Sequence, residues 1–382
     1  MKKTLVVLLI LAVAGGVFAQ EVTWSGSIDT GAVIGIVKDV DDVFIKADDD
    51  DVTTGVKTRL NVAVTDDAWG IEMGIKADIG TDSATLTSNI FGVSMDDYYV
   101  GLSFYNAHGW ILFADMIKVR AGLIDPGVWN SNGPQDWNLA TGAGIRIEVM
   151  PIEGLNVGAF LNWGDGRDGR VIPMTIGNFF KETTLGFSYS NPDMMGLYAA
   201  IAFKLDGKDD ESTMILPDGD DDKNAELIFG FGISPMEALT VKLEGHVYRL
   251  GEYSDAGFMW LVEDISYQVM EPLKVGLEAQ QQIAGDDSVP ISGDFINKTY
   301  LKFKLYGEYA VNETISAGLD IPMEMMKNSD DDLAFATFGM NLWGKYTVGG
   351  ASMKVGYGFT KKTEDFGDSL SHYIRLLFSY SF

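Results

Sequence analysis

Apolar and polar positions alternate with period two along most of the chain from Val22 onward. Residues 298–311, KTYLKFKLYGEYAV, show it most clearly. Leu301, Phe303, Leu305, Tyr309 and Val311 share one face with Thr299 and Gly307, while Lys298, Tyr300, Lys302, Lys304, Tyr306 and Glu308 share the other. This period marks an extended strand whose two faces meet different solvents. Four further segments divide in the same way. Val56, Leu60, Val62 and Val64 oppose Lys57 and Arg59, and Trp69, Ile71, Met73 and Ile75 oppose Glu72 and Lys76. Ile117, Val119, Ala121 and Leu123 oppose Lys118 and Arg120, and Ile145, Ile147 and Val149 oppose Arg146 and Glu148. The last strand, within LSHYIRLLFSYSF, sets Ile374, Leu376, Phe378, Tyr380 and Phe382 against Ser371, Arg375, Ser379 and Ser381, with Tyr373 and Leu377 as exceptions.

The connections between these segments alternate between short and long. The short ones are Asp66-Asp67, Asp115-Met116, Ile152-Glu153-Gly154, Asp193 to Gly196, Met236-Glu237-Ala238, Met270-Glu271-Pro272, Asn312-Glu313 and Gly349-Gly350. A weak repeat of turn and rising strand accompanies several of them, as in Glu237-Ala-Leu239-Thr-Val241 and Glu271-Pro-Leu273-Lys-Val275. This predicts an antiparallel meander rather than a solenoid. Eight tight turns separate nine hairpins, which gives about eighteen strands, with sixteen the near alternative. A lysine pointed at a bilayer midplane costs roughly 2–4 kcal/mol, so the charged faces are predicted to line a wet lumen. The expected fold is therefore an all-β, transmembrane, antiparallel up-and-down β-barrel. A soluble β-sandwich would also alternate, but it does not account for a charged face on nearly every strand.

Composition changes this picture in three ways. Lys2 and Lys3 precede the apolar run Leu5 to Ala14, and Val17-Phe18-Ala19 supplies small residues at a peptidase site. Residues 1–19 are thus expected to be a secretory signal peptide, leaving 20–382 as a single barrel domain. There is no cysteine, which removes disulfides, thiolate metal sites and N-terminal lipidation. The net charge is −27, and loss of Lys2 and Lys3 takes it to −29. Residues 39–51 carry seven acids against one lysine, and residues 206–223 carry eight against two. Acids concentrated on long external loops repel one another less than they would in one soluble domain. The same balance excludes nucleic acid as a partner, since phosphates need a basic footprint.

Several chemical readings fail on spacing. Asp218-Gly-Asp220-Asp-Asp222 begins like a calcium loop, but the positions that need Gly and Glu hold Lys223 and Phe229. His108, His246 and His372 are far apart in sequence and show no metal-ligand pattern. No catalytic motif is present, so neither enzyme activity, a metal nor a cofactor is expected.

A strand ending on Phe378, Tyr380 and Phe382 resembles the closing strand of bacterial outer-membrane barrels, in which the terminal aromatic is an assembly signal. The segment Tyr98 to Asp125 resembles the general porin stretch that leads through a tight turn, Ala114 to Ile117, into the constriction loop, here Asp125 to Ala140. A softer similarity runs to spirochaete outer-membrane proteins. The general porin resemblance implies a passive diffusion channel for small hydrophilic solutes, in contact with outer-membrane lipid and the barrel assembly machinery, and a homotrimer. It further implies a transverse field between loop acids Asp125 and Asp136 and wall bases Lys57, Arg59, Lys118, Arg120, Arg146 and Arg375. The acid excess suggests cation preference. Trp129 and Trp137 would instead resemble the aromatic slide of sugar-selective porins if they stacked on sugar faces. A surface adhesin or structural barrel with a closed lumen is the other class, separated by whether the protein conducts.

Overall fold

A computed structural model describes residues 21–37, 42–46, 55–81, 98–125, 127–164, 183–205, 225–248, 258–284, 299–327, 333–363 and 368–382. The signal segment and most of the two longest acidic stretches lie outside the described residues. The elements in order are β1 (Glu21–Val37), β2 (Asp42–Lys46), β3 (Gly55–Thr65), β4 (Trp69–Thr81), β5 (Tyr98–Phe113) and β6 (Ile117–Ile124). Next come β7 (Gly142–Val149), β8 (Leu155–Gly164), β9 (Thr183–Asn191), β10 (Leu197–Lys204), β11 (Glu226–Met236) and β12 (Leu239–Tyr248). The series continues with β13 (Phe258–Met270), β14 (Leu273–Ala284), β15 (Thr299–Ala310) and β16 (Ile315–Lys327). It ends with β17 (Leu333–Val348), β18 (Ala351–Lys362) and β19 (Ser369–Ser381).

Every pairing is antiparallel between chain neighbours, and β1 closes the sheet against β19. β2 and β3 run end to end along β1, at Val33–Val37 and Glu21–Gly31 respectively, so nineteen segments make an eighteen-strand barrel. All eight tight turns expected from sequence fall between consecutive strands. At Ala114 and Asp115 both φ angles are positive, 49° and 55°, as a two-residue hairpin requires to match strand twist.

The expected faces are also observed. Outward Ile71, Ile117, Ile147, Leu305, Ile374, Leu376 and Phe378 are exposed, as a lipid-facing surface must be. Inward Lys302 and Lys304 stand opposite Glu324 and Glu278. One parity change had no counterpart in the sequence pattern. A register shift opposite Gly74 and Ile75 turns both Tyr105 and Asn106 inward, which leaves Phe104 outward before it and Ile111 and Phe113 outward after it. The seam carries its own contacts: Gly26 and Phe382 exchange two backbone hydrogen bonds of 3.0 Å, and the Ser379 hydroxyl donates to Asp29 at 2.6 Å.

Candidate pore constriction

The connection from β6 to β7 turns into the barrel and lies against the inside of β7 to β12. What permits this is a run of small inward residues. Gly158 pairs with Gly186, Gly186 with Ala202, and Ala200 with Gly230 across successive strands. A methyl group added at Gly186 would collide with the Trp129 ring, and one at Gly230 with the backbone of Ser131. The loop therefore sits where side chains are missing from the wall.

An apolar core forms beneath it, inside the lumen. Trp129 and Ala140 of the loop pack with Ile124, Phe160, Ala202 and Ile228 of the wall, all six buried, and Val128, Trp137 and Leu139 flank them. Burying each larger side chain of this set contributes about 1.5–3 kcal/mol. Trp129 is 1% exposed and donates its indole N–H to Asn156 Oδ1 at 3.0 Å. It anchors the loop and presents no free ring face to a solute. Trp137 is half-buried and meets His246 edge-on at 5.5 Å between ring centres.

Polar contacts complete the attachment. Glu244 of β12, 0% exposed, accepts from the Ser131 hydroxyl and from the backbone N–H groups of Gln135 and Asp136, the latter two at 2.6 and 3.2 Å. Thr184 donates to the Leu139 carbonyl at 2.9 Å and Arg146 to the Ala140 carbonyl at 3.1 Å, while Tyr198 donates to the Asn130 carbonyl. Three loop residues, Trp129, Asn132 and Asp136, have positive φ, and Asn130 donates to the Asp136 carboxylate.

The residues proposed from sequence separate into three groups. Lys118, Arg120 and Arg146 come together on β6 and β7 with Glu72, His108 and Glu148. Arg120 Nε and Arg146 Nε each donate to Glu148 Oε1 at 3.0 Å, and Asn156 donates to Glu148 Oε2 at 3.0 Å. His108 Nε2 lies 2.9 Å from Arg120, and because a guanidinium only donates, that nitrogen accepts. His108 Nδ1 consequently donates to Asn106 Oδ1 at 2.7 Å. Lys118 lies over the Trp110 ring, 4.0 Å from its centre. Arg146 is 1% exposed, so its charge faces the loop rather than open water.

Asp125 and Asp136 form the second group, both on the loop, with Asp125 exposed where β6 ends. The third group stands on other strands. Arg59 of β3 is exposed and lies over the Tyr105 ring at 5.8 Å, and Arg375 is on the inward set of β19. The side chain of Lys57 lies outside the described residues. Sequence reasoning missed Glu244, His108 and Glu72 as parts of the site. Their one signal was an acid or histidine at an inward position of a strand.

Opposite the loop the inward side chains retain water. The Lys302 and Lys304 side chains are 38% and 35% exposed. Tyr306 donates to Asp264 at 2.8 Å, Trp343 donates to Asp320 at 3.1 Å, and Lys354 lies over the Trp343 ring at 4.3 Å. Among the described residues no cluster of His, Asp or Glu has the geometry of a metal site.

No protein-family model matches the chain, and no curated protein sequence does. Solved structures with the same fold do match over nearly the whole length. Pseudomonas aeruginosa OccK9 (OpdG) is 12% identical with a TM-score of 0.58, over 94% of this chain and 98% of that one. Pseudomonas aeruginosa OpdK, solved with vanillate, is 10% identical with a TM-score of 0.56, over 95% and 98%. Acinetobacter baumannii OccAB1 is 13% identical with a TM-score of 0.55, over 94% and 96%. At these identities the likeness is one of fold.

Proposed function

We propose that the protein is an outer-membrane porin, a passive diffusion channel for small hydrophilic solutes and ions, with no chemical step. The observation that carries this reading is the asymmetry of the lumen. A loop fastened to one wall narrows the bore, and charged side chains on the facing wall keep contact with water. Such a cross-section sorts solutes by size, while fixed charges on its rim act on their dipoles and charge. The fold shared with outer-membrane channels supports the same reading. Export by the N-terminal segment and residence in an outer membrane belong to the same proposal.

Cation preference at low salt follows from the acid excess of the whole chain, −27, which raises the local concentration of positive counter-ions at the mouths. The test is single-channel recording of the mature protein in planar bilayers under a potassium chloride gradient. Steps of uniform conductance with a cation-selective reversal potential are expected. A folded, heat-modifiable protein that stays silent would overturn the channel and favour a closed barrel with a surface-binding role. Steps with an anion-selective reversal potential would overturn the cation preference alone.

A further inference from the structure

The outward face of the barrel is apolar or aromatic along almost every strand. Among the residues whose side chains are described, one charged group stands on that face away from the strand ends. It is Glu263, near the middle of β13. The one carboxamide so placed is Gln281, on the adjoining β14. Glu263 pairs with Ala279 in the register, so Gln281, two residues along, is its diagonal neighbour on the same face. Glu263 is exposed, and no hydrogen bond or ion pair joins its carboxylate to another described residue. Exposed Ile265 and Leu277 adjoin Glu263 on the turn side.

Hydrocarbon offers a carboxylate no donor, so this placement is unfavourable for a barrel that meets only lipid there. A second copy of the same face offers one. Two β13–β14 faces related by a two-fold axis set each Glu263 carboxylate against the other's Gln281 carboxamide, acceptor to donor, twice. Self-complementarity of this kind is what an isologous interface requires. Ala279, the small residue directly across from Glu263, lets the two sheets approach closely. A head-to-tail ring would instead need a second polar patch elsewhere on the outward face. The other candidate there, His372 on β19, already has Nδ1 2.8 Å from the Tyr357 hydroxyl. We propose that the β13–β14 face docks a second copy of this chain through paired Glu263–Gln281 contacts, in place of the three-fold assembly that the general porin resemblance implies.

The absence of native cysteine makes the test direct. Ala279→Cys, alone in the full-length protein, is treated with a short bismaleimide in outer-membrane vesicles, with Val355→Cys on β18 as the control. Folding of each variant is checked by heat-modifiable mobility. The expected result is a covalent species of twice the chain mass, roughly tenfold more abundant for Ala279→Cys than for the control. Adding Glu263→Leu, a change lipid accepts readily, should cut that yield roughly threefold. Equal yields at the two positions, an adduct of any other mass, or a yield unmoved by Glu263→Leu would each overturn the proposal.

Discussion

The two halves of the inner wall share one strand geometry and serve opposite ends. Along β7 to β12 the inward positions include Gly158, Gly186, Ala202 and Gly230, and a loop covers them. Along β14 to β18 they include Lys302, Lys304, Glu324 and Lys354, and water covers them. A barrel of this width has no core of its own, because eighteen strands leave more interior than their side chains can fill. A core appears only where small residues create room for something else to settle. Charge follows the same division. On the covered side Arg120, Arg146 and Glu148 are spent on one another and on the loop, whereas on the open side Lys302 and Lys304 pair with Glu324 and Glu278 and still keep more than a third of their side chains exposed.

Four variants break or sharpen this contrast. The largest effect is expected from Gly186→Leu, whose side chain would occupy the place of the Trp129 ring. Overpacking costs about 1–3 kcal/mol and is relieved by unseating the loop. Single-channel conductance should rise about twofold, the change expected on removing the main obstruction from the bore, and residues 125–141 should become open to protease. Unchanged conductance would show that Trp129 does not fix the loop. Next is Glu244→Leu, which strands three donors at a buried position, again at about 1–3 kcal/mol. Here open-channel current should become noisy while folding persists, and Glu244→Gln should restore part of the quiet trace.

The paired change Lys302→Glu and Lys304→Glu touches the open side. Stability, followed by denaturant unfolding, should fall by about 1 kcal/mol, since each new glutamate stands directly across from Glu324 or Glu278. The reversal potential should shift towards cations at ~0.1 M salt and lose that shift near 1 M, where the screening length is only ~3 Å. The smallest effect is expected from Arg59→Ala. It removes a cation from the Tyr105 ring, worth about 0.5–1 kcal/mol, and should lower anion permeability only slightly in the same recordings. A large change in loop protection from either of these last two variants would mean that the covered arc is coupled to the rest of the wall.

The barrel was legible because alternation, turn residues and charge all obey the membrane. Lys302 and Lys304 could point only one way, and Asn312-Glu313 or Gly349-Gly350 could only be turns. The covered arc was not legible, and the reason is visible in LNVGAFLNWG of β8 and LYAAIAFK of β10. There Phe160 and Ala202 are apolar on the inward side, so alternation disappears and the face that receives the loop looks like any buried strand. Asp125 and Asp136 were correctly placed on a loop. Nothing in their surroundings revealed that Glu244, more than a hundred residues away, would hold that loop by its backbone. Trp129 illustrates the same limit, since a tryptophan on a pore loop reads equally as a platform or an anchor until its neighbours are known.

The seam between the first and last strands carries a consequence for how the protein is made. Gly26 exchanges its hydrogen bonds with Phe382, and the Phe382 ring lies where a side chain on Gly26 would be. The first strand of the barrel thus has one edge uncovered until β19 pairs with it. Until that pairing forms, an unpaired edge remains available to any other strand, and so extended a closure is intrinsically slow. A chaperone that shields that edge would act on the same few ångströms of backbone that Gly26 and Phe382 come to share.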